Sequence, residues 1–239
     1  MSYFATFSGL KMKKSFLFSL FVSALLLMHA CAPSRFVEPL EYGENAVSVS
    51  AGGPIFQNLG YPLPIPMSSI TYGRGITPKI TSFTSVHVTS LIYKTPLLEL
   101  GVLYNIREYN KYESPWIPGV SATGMTNFAF SFRGGEAKFW PQLDLNAYWN
   151  VFDRNDLLYV GFSNWFEIQK NRAFGEPQPQ SWIFSPQIGY GYKFGKYSAN
   201  LELKMVAPNV SNEDITIDYL KPFGNKGTLG LYLGVYRKF

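Results

Sequence analysis

Ser85, His87 and Thr89 stand two residues apart in the stretch SVHVTS, and Glu99 follows on the next apolar segment. Successive side chains of a strand point to opposite faces, so the three residues would share one face. If the chain turns back around Tyr93, Glu99 falls opposite His87. A hydroxyl, an imidazole and a carboxylate within reach of one another are the elements of an acyl-transfer site. The imidazole would take the hydroxyl proton, and the carboxylate would orient the ring. His87 is the only histidine beyond residue 29, so any histidine-dependent chemistry must use it. The same groups also suit a simpler arrangement, a buried histidine hydrogen-bonded to a carboxylate. That is the favoured reading, and no catalytic residue is assigned.

Other chemistries lack their residues. No glycine-rich loop follows a strand to cradle phosphate, and no cluster of Cys and His offers metal ligands. GYGYKFG, residues 189–195, is rich in glycine, but it reads as strand leading into a hairpin turn. No cofactor and no metal are expected.

The elements that would position His87 and Glu99 are strands. From Trp182, alternate residues run Trp182, Phe184, Pro186, Ile188, Tyr190, Tyr192 and Phe194. Between them lie Ile183, Ser185, Gln187, Gly189, Gly191 and Lys193. After Gly195-Lys196, Tyr197, Ala199, Leu201, Leu203 and Met205 alternate with Ser198, Asn200, Glu202 and Lys204. Similar segments lie near 46–53, 67–75, 80–89, 97–109, 117–132, 139–151, 157–168, 182–194, 197–206 and 228–239. No helical period appears beyond the first 30 residues.

The polar faces carry small residues that suit a crowded interior, and the apolar faces carry aromatics near the strand ends. Aromatics make up 17% of the chain and charged residues 15%. Soluble domains carry about 25% charge, so the outer surface is short of the groups that water requires. No segment after residue 30 has 18 consecutive apolar residues. A membrane barrel fits this pattern, because its lipid-facing residues are spread two apart. A water-soluble barrel with apolar residues inside is the rival, and the small residues on the polar faces argue against it.

Met12-Lys13-Lys14 precedes the apolar run SFLFSLFVSALLLM, residues 15–28, as in a secretory signal. We read residues 1–30 as the signal peptide with translation starting at Met12, 31–45 as a lipidated periplasmic linker and 46–239 as the barrel. Without Lys11, Lys13 and Lys14 the chain holds 18 basic and 16 acidic residues, a net charge of +2. The basicity of the whole chain therefore belongs partly to the signal, and no nucleic-acid partner is expected.

Ala30-Cys31 and the following APSRF resemble the lipobox of bacterial lipoproteins, in which the cysteine becomes the acylated first residue. The resemblance implies lipidation at Cys31, the only cysteine. The terminal GTLGLYLGVYRKF resembles the strand by which outer-membrane proteins reach the barrel-assembly machinery, although Arg237 stands where an aromatic is commoner. With CAPSRFVEPL, SAGGP at 50–54 and TSLIY at 89–93, the chain is similar to small Gram-negative envelope lipoproteins without assigned activity. These are outer-membrane barrels, and the resemblance implies fold and location but no site. Outer-membrane lipid A deacylases use a His/Ser/Glu set on a small barrel. That set lies in their C-terminal half and faces lipid, whereas His87 is expected inside.

The reading is thus an all-β, single up-and-down antiparallel transmembrane barrel of about ten strands, with eight to twelve possible. Turn lengths orient it. With Cys31 periplasmic, the long connections near 54–66, 169–181 and 207–227 would be extracellular, and the short turns at 153–156 and 195–196 periplasmic. The lumen would hold Ser85, His87, Thr89, Glu99, Asn105, Arg107, Asp144, Asn146, Lys193, Asn200, Glu202 and Lys204, pairing across a narrow interior. The expected role is structural, or surface binding through the outer loops to an unassigned ligand. A lipid-modifying acyl hydrolase centred on His87 and a narrow channel for small solutes are the alternatives.

Overall fold

The computed structural model describes residues 35–58, 61–132, 134, 137–171, 177–178, 180–213 and 217–239. The segment read as a signal peptide and Cys31 lie outside the described residues. The strands are β1 (Asn45–Asn58), β2 (Tyr61–Pro64), β3 (Met67–Thr77), β4 (Ile80–His87), β5 (Leu97–Arg107), β6 (Gly119–Ala129), β7 (Lys138–Val151), β8 (Asp156–Phe166), β9 (Trp182–Phe194), β10 (Tyr197–Ser211) and β11 (Lys226–Lys238). A short helix, α1 (Val88–Ile92), joins β4 to β5.

Every pairing along the sheet is antiparallel, and β1 also pairs with β11 from Ala46↔Lys238 to Pro54↔Gly230. The sheet therefore closes into an up-and-down barrel of ten strands. β2 is an extra strand that pairs only with the far end of β1. Closure removes the free edges that would otherwise template aggregation.

Alternation sorts the side chains as the sequence implies. On β5, Leu98, Leu100, Val102 and Tyr104 point outward with 37–53% exposure, while Glu99, Leu103 and Asn105 are at most 3% exposed. On β10, Leu201 and Leu203 are exposed and Glu202 and Lys204 are 1% exposed. The exterior is apolar and the interior holds the charges. A water-soluble barrel would have the reverse polarity.

Residues 35–44, read from sequence as a linker outside the barrel, run inside it over Arg35–Leu40. Phe36 packs on Phe83 of β4 and Tyr236 of β11, with ring centroids 6.0 and 6.1 Å apart. Val37 meets Tyr148, Leu157 and Tyr159 of β7 and β8, and its carbonyl accepts from Ser121 of β6 at 2.6 Å. Contacts on opposite walls place this strap within the lumen. Gly73 makes room for it, since a Cβ there would lie 2.5 Å from the Phe36 ring. Burying Phe36, Val37 and Leu40 stabilises the strap by roughly 1.5–3 kcal/mol per side chain. Periodicity could not reveal this segment, because it is neither strand nor helix.

Candidate functional site

The lumen is layered. The turns at 78–79, 152–155 and 195–196 and the start of β1 lie at one end, which we call the short-turn end. There the strap and barrel form an apolar layer of Phe36, Leu40, Ala46, Phe83, Leu103 and Met125. Toward the long-loop end, Trp140 and Trp165 stack 5.1 Å apart beside Leu97 and Ala129. Val206, Tyr219 and Tyr232 pack with Phe56 and Met67 on the other side of that end. Between these apolar layers lies a polar one.

The centre of the polar layer is Arg35. Its Nε and Nη2 donate to the two oxygens of Glu99 at 2.7 and 2.8 Å. Nη1 donates to Ser69 Oγ at 2.8 Å and reaches Ser50 Oγ at 3.4 Å. Nη2 also lies 3.1 Å from His87 Nε2, and that nitrogen lies 2.6 Å from Glu99 Oε1. Arg35, Glu99 and His87 are 5%, 3% and 5% exposed. A buried carboxylate is tolerable here because a bidentate guanidinium faces it.

Elsewhere in the layer, Tyr159 donates to Glu202 at 2.8 Å, and Lys204 lies 3.4 Å from the same carboxylate. Gln142 donates to Asp144 at 2.9 Å, and Gln187 to Asn146 at 2.8 Å. At the short-turn end, beside the turns at 152–155 and 195–196, Lys193 forms an ion pair with Glu38 of the strap, and Asn150 donates to Glu38 at 3.0 Å. A cavity of about 10 Å³ remains between Arg35, Ser50, Asn200, Glu202 and Tyr232, room for roughly one water.

The four residues singled out for acyl transfer do not assemble into a triad. The register pairs Ser85, not His87, with Glu99. The reason is α1, which replaces an extended hairpin turn with a helical one and moves the turn centre by one residue. His87 still reaches Glu99 diagonally. Ser85 Oγ bonds to Thr71 Oγ1 at 2.8 Å and is fully buried. Thr89 lies in α1, accepts from Ser68 N at 2.8 Å and donates to the Pro66 carbonyl at 3.1 Å. Arg107, expected in the lumen, is exposed beyond the irregular pairing between Asn105 and Arg107.

Asp144, Asn146, Glu202 and Lys204 lie buried inside the barrel, and Lys193 lines it half-buried. Arg35 is the central residue that sequence reasoning missed. Its only signal was position, a basic residue just ahead of the apolar Phe36 and Val37.

No family model matches the chain, and no curated protein matches it. Among solved structures, an outer membrane channel from Pseudomonas putida F1 is 10% identical, with a TM-score of 0.45, over 87% of this chain and all of that one. The translocator domain of the autotransporter NalP from Neisseria meningitidis is 9% identical, with a TM-score of 0.40, over 94% of this chain and 95% of that one. Ail, the attachment invasion locus protein of Yersinia pestis, is 10% identical, with a TM-score of 0.25, over 83% of this chain and 99% of that one. At these scores the likenesses assign no activity here. The barrel rests on its own strand pairing, and the polarity on its own burial pattern.

Proposed function

We propose that this chain is a Gram-negative outer-membrane lipoprotein, a non-enzymatic barrel that its own N-terminal strap plugs. It would act structurally or bind at the surface through its long loops. The observation that carries this reading is the strap itself. Arg35 crosses to Glu99 and Glu38 meets Lys193, with Phe36 and Val37 packed between the walls. The apolar exterior supports a membrane location, because water would not solvate it. Strands of 8–15 residues suit a bilayer, which needs about 9–11. In this reading Cys31 carries the acyl anchor, and the strand ending at Phe239 is handed to the barrel-assembly machinery. The long loops face outward.

The non-enzymatic reading draws on the same site. The hydroxyl that would act as nucleophile, Ser85 Oγ, is engaged by Thr71, and His87 is walled in by Arg35 and Glu99. An acyl hydrolase needs an accessible base beside a nucleophile. The test has two arms. Purified protein in planar bilayers should give no discrete ion conductance, and a steady single-channel current would make it a channel. Overexpression should leave the host lipid A acyl pattern unchanged by mass spectrometry. Loss or gain of an acyl chain with wild type but not with His87→Gln would establish the hydrolase instead.

A further inference from the structure

We propose that Ser50, Ser69, His87 and Glu99 form a guanidinium-binding site in the barrel wall, with Arg35 as its tethered occupant. When the strap withdraws, the site can take a free guanidinium-bearing ligand such as the side chain of an arginine. The proposal rests on the reading of the strap as a plug, because the occupant must be separable from the wall.

The wall groups come from four neighbouring strands, β1, β3, β4 and β5. They are held in two pairs by bonds that do not involve the strap. Ser50 and Ser69 Oγ are 2.6 Å apart, and His87 Nε2 and Glu99 Oε1 are also 2.6 Å apart. With the strap in place, all four residues are at most 6% exposed. The four recognising side chains therefore belong to the barrel wall and none to the strap.

Its geometry selects a planar fork. Both Glu99 oxygens lie where two guanidinium nitrogens can meet them in parallel, and the third nitrogen faces Ser69. A compact ammonium would satisfy one edge of this arrangement and leave the rest unpaired. With Arg35 absent, Glu99 would be a buried carboxylate with only His87 beside it, so the wall favours a cation that carries its own donors.

The strap is suited to exchange. Arg35–Leu40 belongs to no strand. Among the described residues, the side-chain bonds that reach its backbone are those from Leu40 N to Thr81 Oγ1 and from Ser121 Oγ to the Val37 carbonyl. Packing of Phe36, Val37 and Leu40 and the ion pairs of Arg35 and Glu38 hold it, so the strapped state dominates without a backbone ladder to dismantle.

The experiment uses the full chain in lipid bilayers and follows the urea unfolding midpoint. Arg35→Ala should lower the midpoint. Guanidinium chloride at ~1–10 mM should restore more than about half of the loss in a saturable way, as for a millimolar site. It denatures only at far higher, molar concentrations. Methylammonium and potassium chloride at matched ionic strength should not restore it. Adding Glu99→Gln to Arg35→Ala should abolish the rescue. If Arg35→Ala does not insert, Arg35→Met keeps the apolar stem and takes the same titration. No saturable rescue, or rescue that persists without Glu99, overturns the site. Conductance reads the plug separately. A conducting wild type sinks the plug reading, and a silent wild type without rescue sinks the guanidinium site alone.

Discussion

Arg35 and Glu99 meet through two parallel hydrogen bonds, of 2.7 and 2.8 Å, across 64 residues of sequence. This pair ties the strap to the wall inside a layer that is otherwise closed by apolar side chains. Breaking a buried pair by removing one partner costs about 3–5 kcal/mol, whereas replacing both with apolar groups can be nearly neutral. Arg35→Met and Glu99→Leu should each lower the urea midpoint strongly. The double variant should recover a large part of the loss. Additive losses would mean that the two groups are not coupled.

The outward face of the barrel should respond to charge according to depth. Leu203 lies mid-strand and is 42% exposed, so Leu203→Arg should cost ~2–4 kcal/mol in a bilayer. Ile106 sits near the short-turn end of β5 and is 52% exposed, so Ile106→Arg should cost only ~0–1 kcal/mol. Equal and small costs at both positions would point to water rather than lipid around the barrel.

Gly189 faces inward beneath Tyr159, and a Cβ there would lie 2.2 Å from the tyrosine ring. Gly189→Ala must displace the ring that donates to Glu202 at 2.8 Å. The expected cost is about 1–3 kcal/mol, as for overpacking a filled core. Gly124 has no atom within 4 Å of its missing Cβ, so Gly124→Ala should leave the midpoint nearly unchanged. Similar losses for both variants would show that the inward ring contact is not what matters.

Orientation can be read in intact cells. Gln178 lies in the long connection between β8 and β9, and Asn155 in the short turn between β7 and β8. A cysteine at Gln178 should react with an impermeant thiol label and one at Asn155 should not. Reversed labelling would invert the barrel.

The anchor has its own test. Cys31→Ser should abolish incorporation of labelled palmitate. Incorporation that persists would move acylation to another residue and leave Cys31 without a role.

The sequence alone left the strand number between eight and twelve, which closure of β1 on β11 sets at ten, but it determined the barrel and which face of each strand meets the exterior. The reason is local: a strand has a period of two, and an apolar face of Leu98, Leu100 and Val102 against Glu99 leaves one consistent register of inside and outside. Tertiary structure alone decided the site. The hydrogen bond between His87 and Glu99 survived a register error of two residues, because the face was right even where the partner was wrong. Ser85 and Thr89 were separated from His87 by partners on β3 and before it, which no spacing along β4 encodes. The strap was invisible for a stronger reason. Arg35–Leu40 has no periodic backbone, and the walls that bury it come from strands up to 200 residues away in the chain, Phe36 against Tyr236 being the farthest. Only closure of the barrel creates the interior in which that segment has anything to bind.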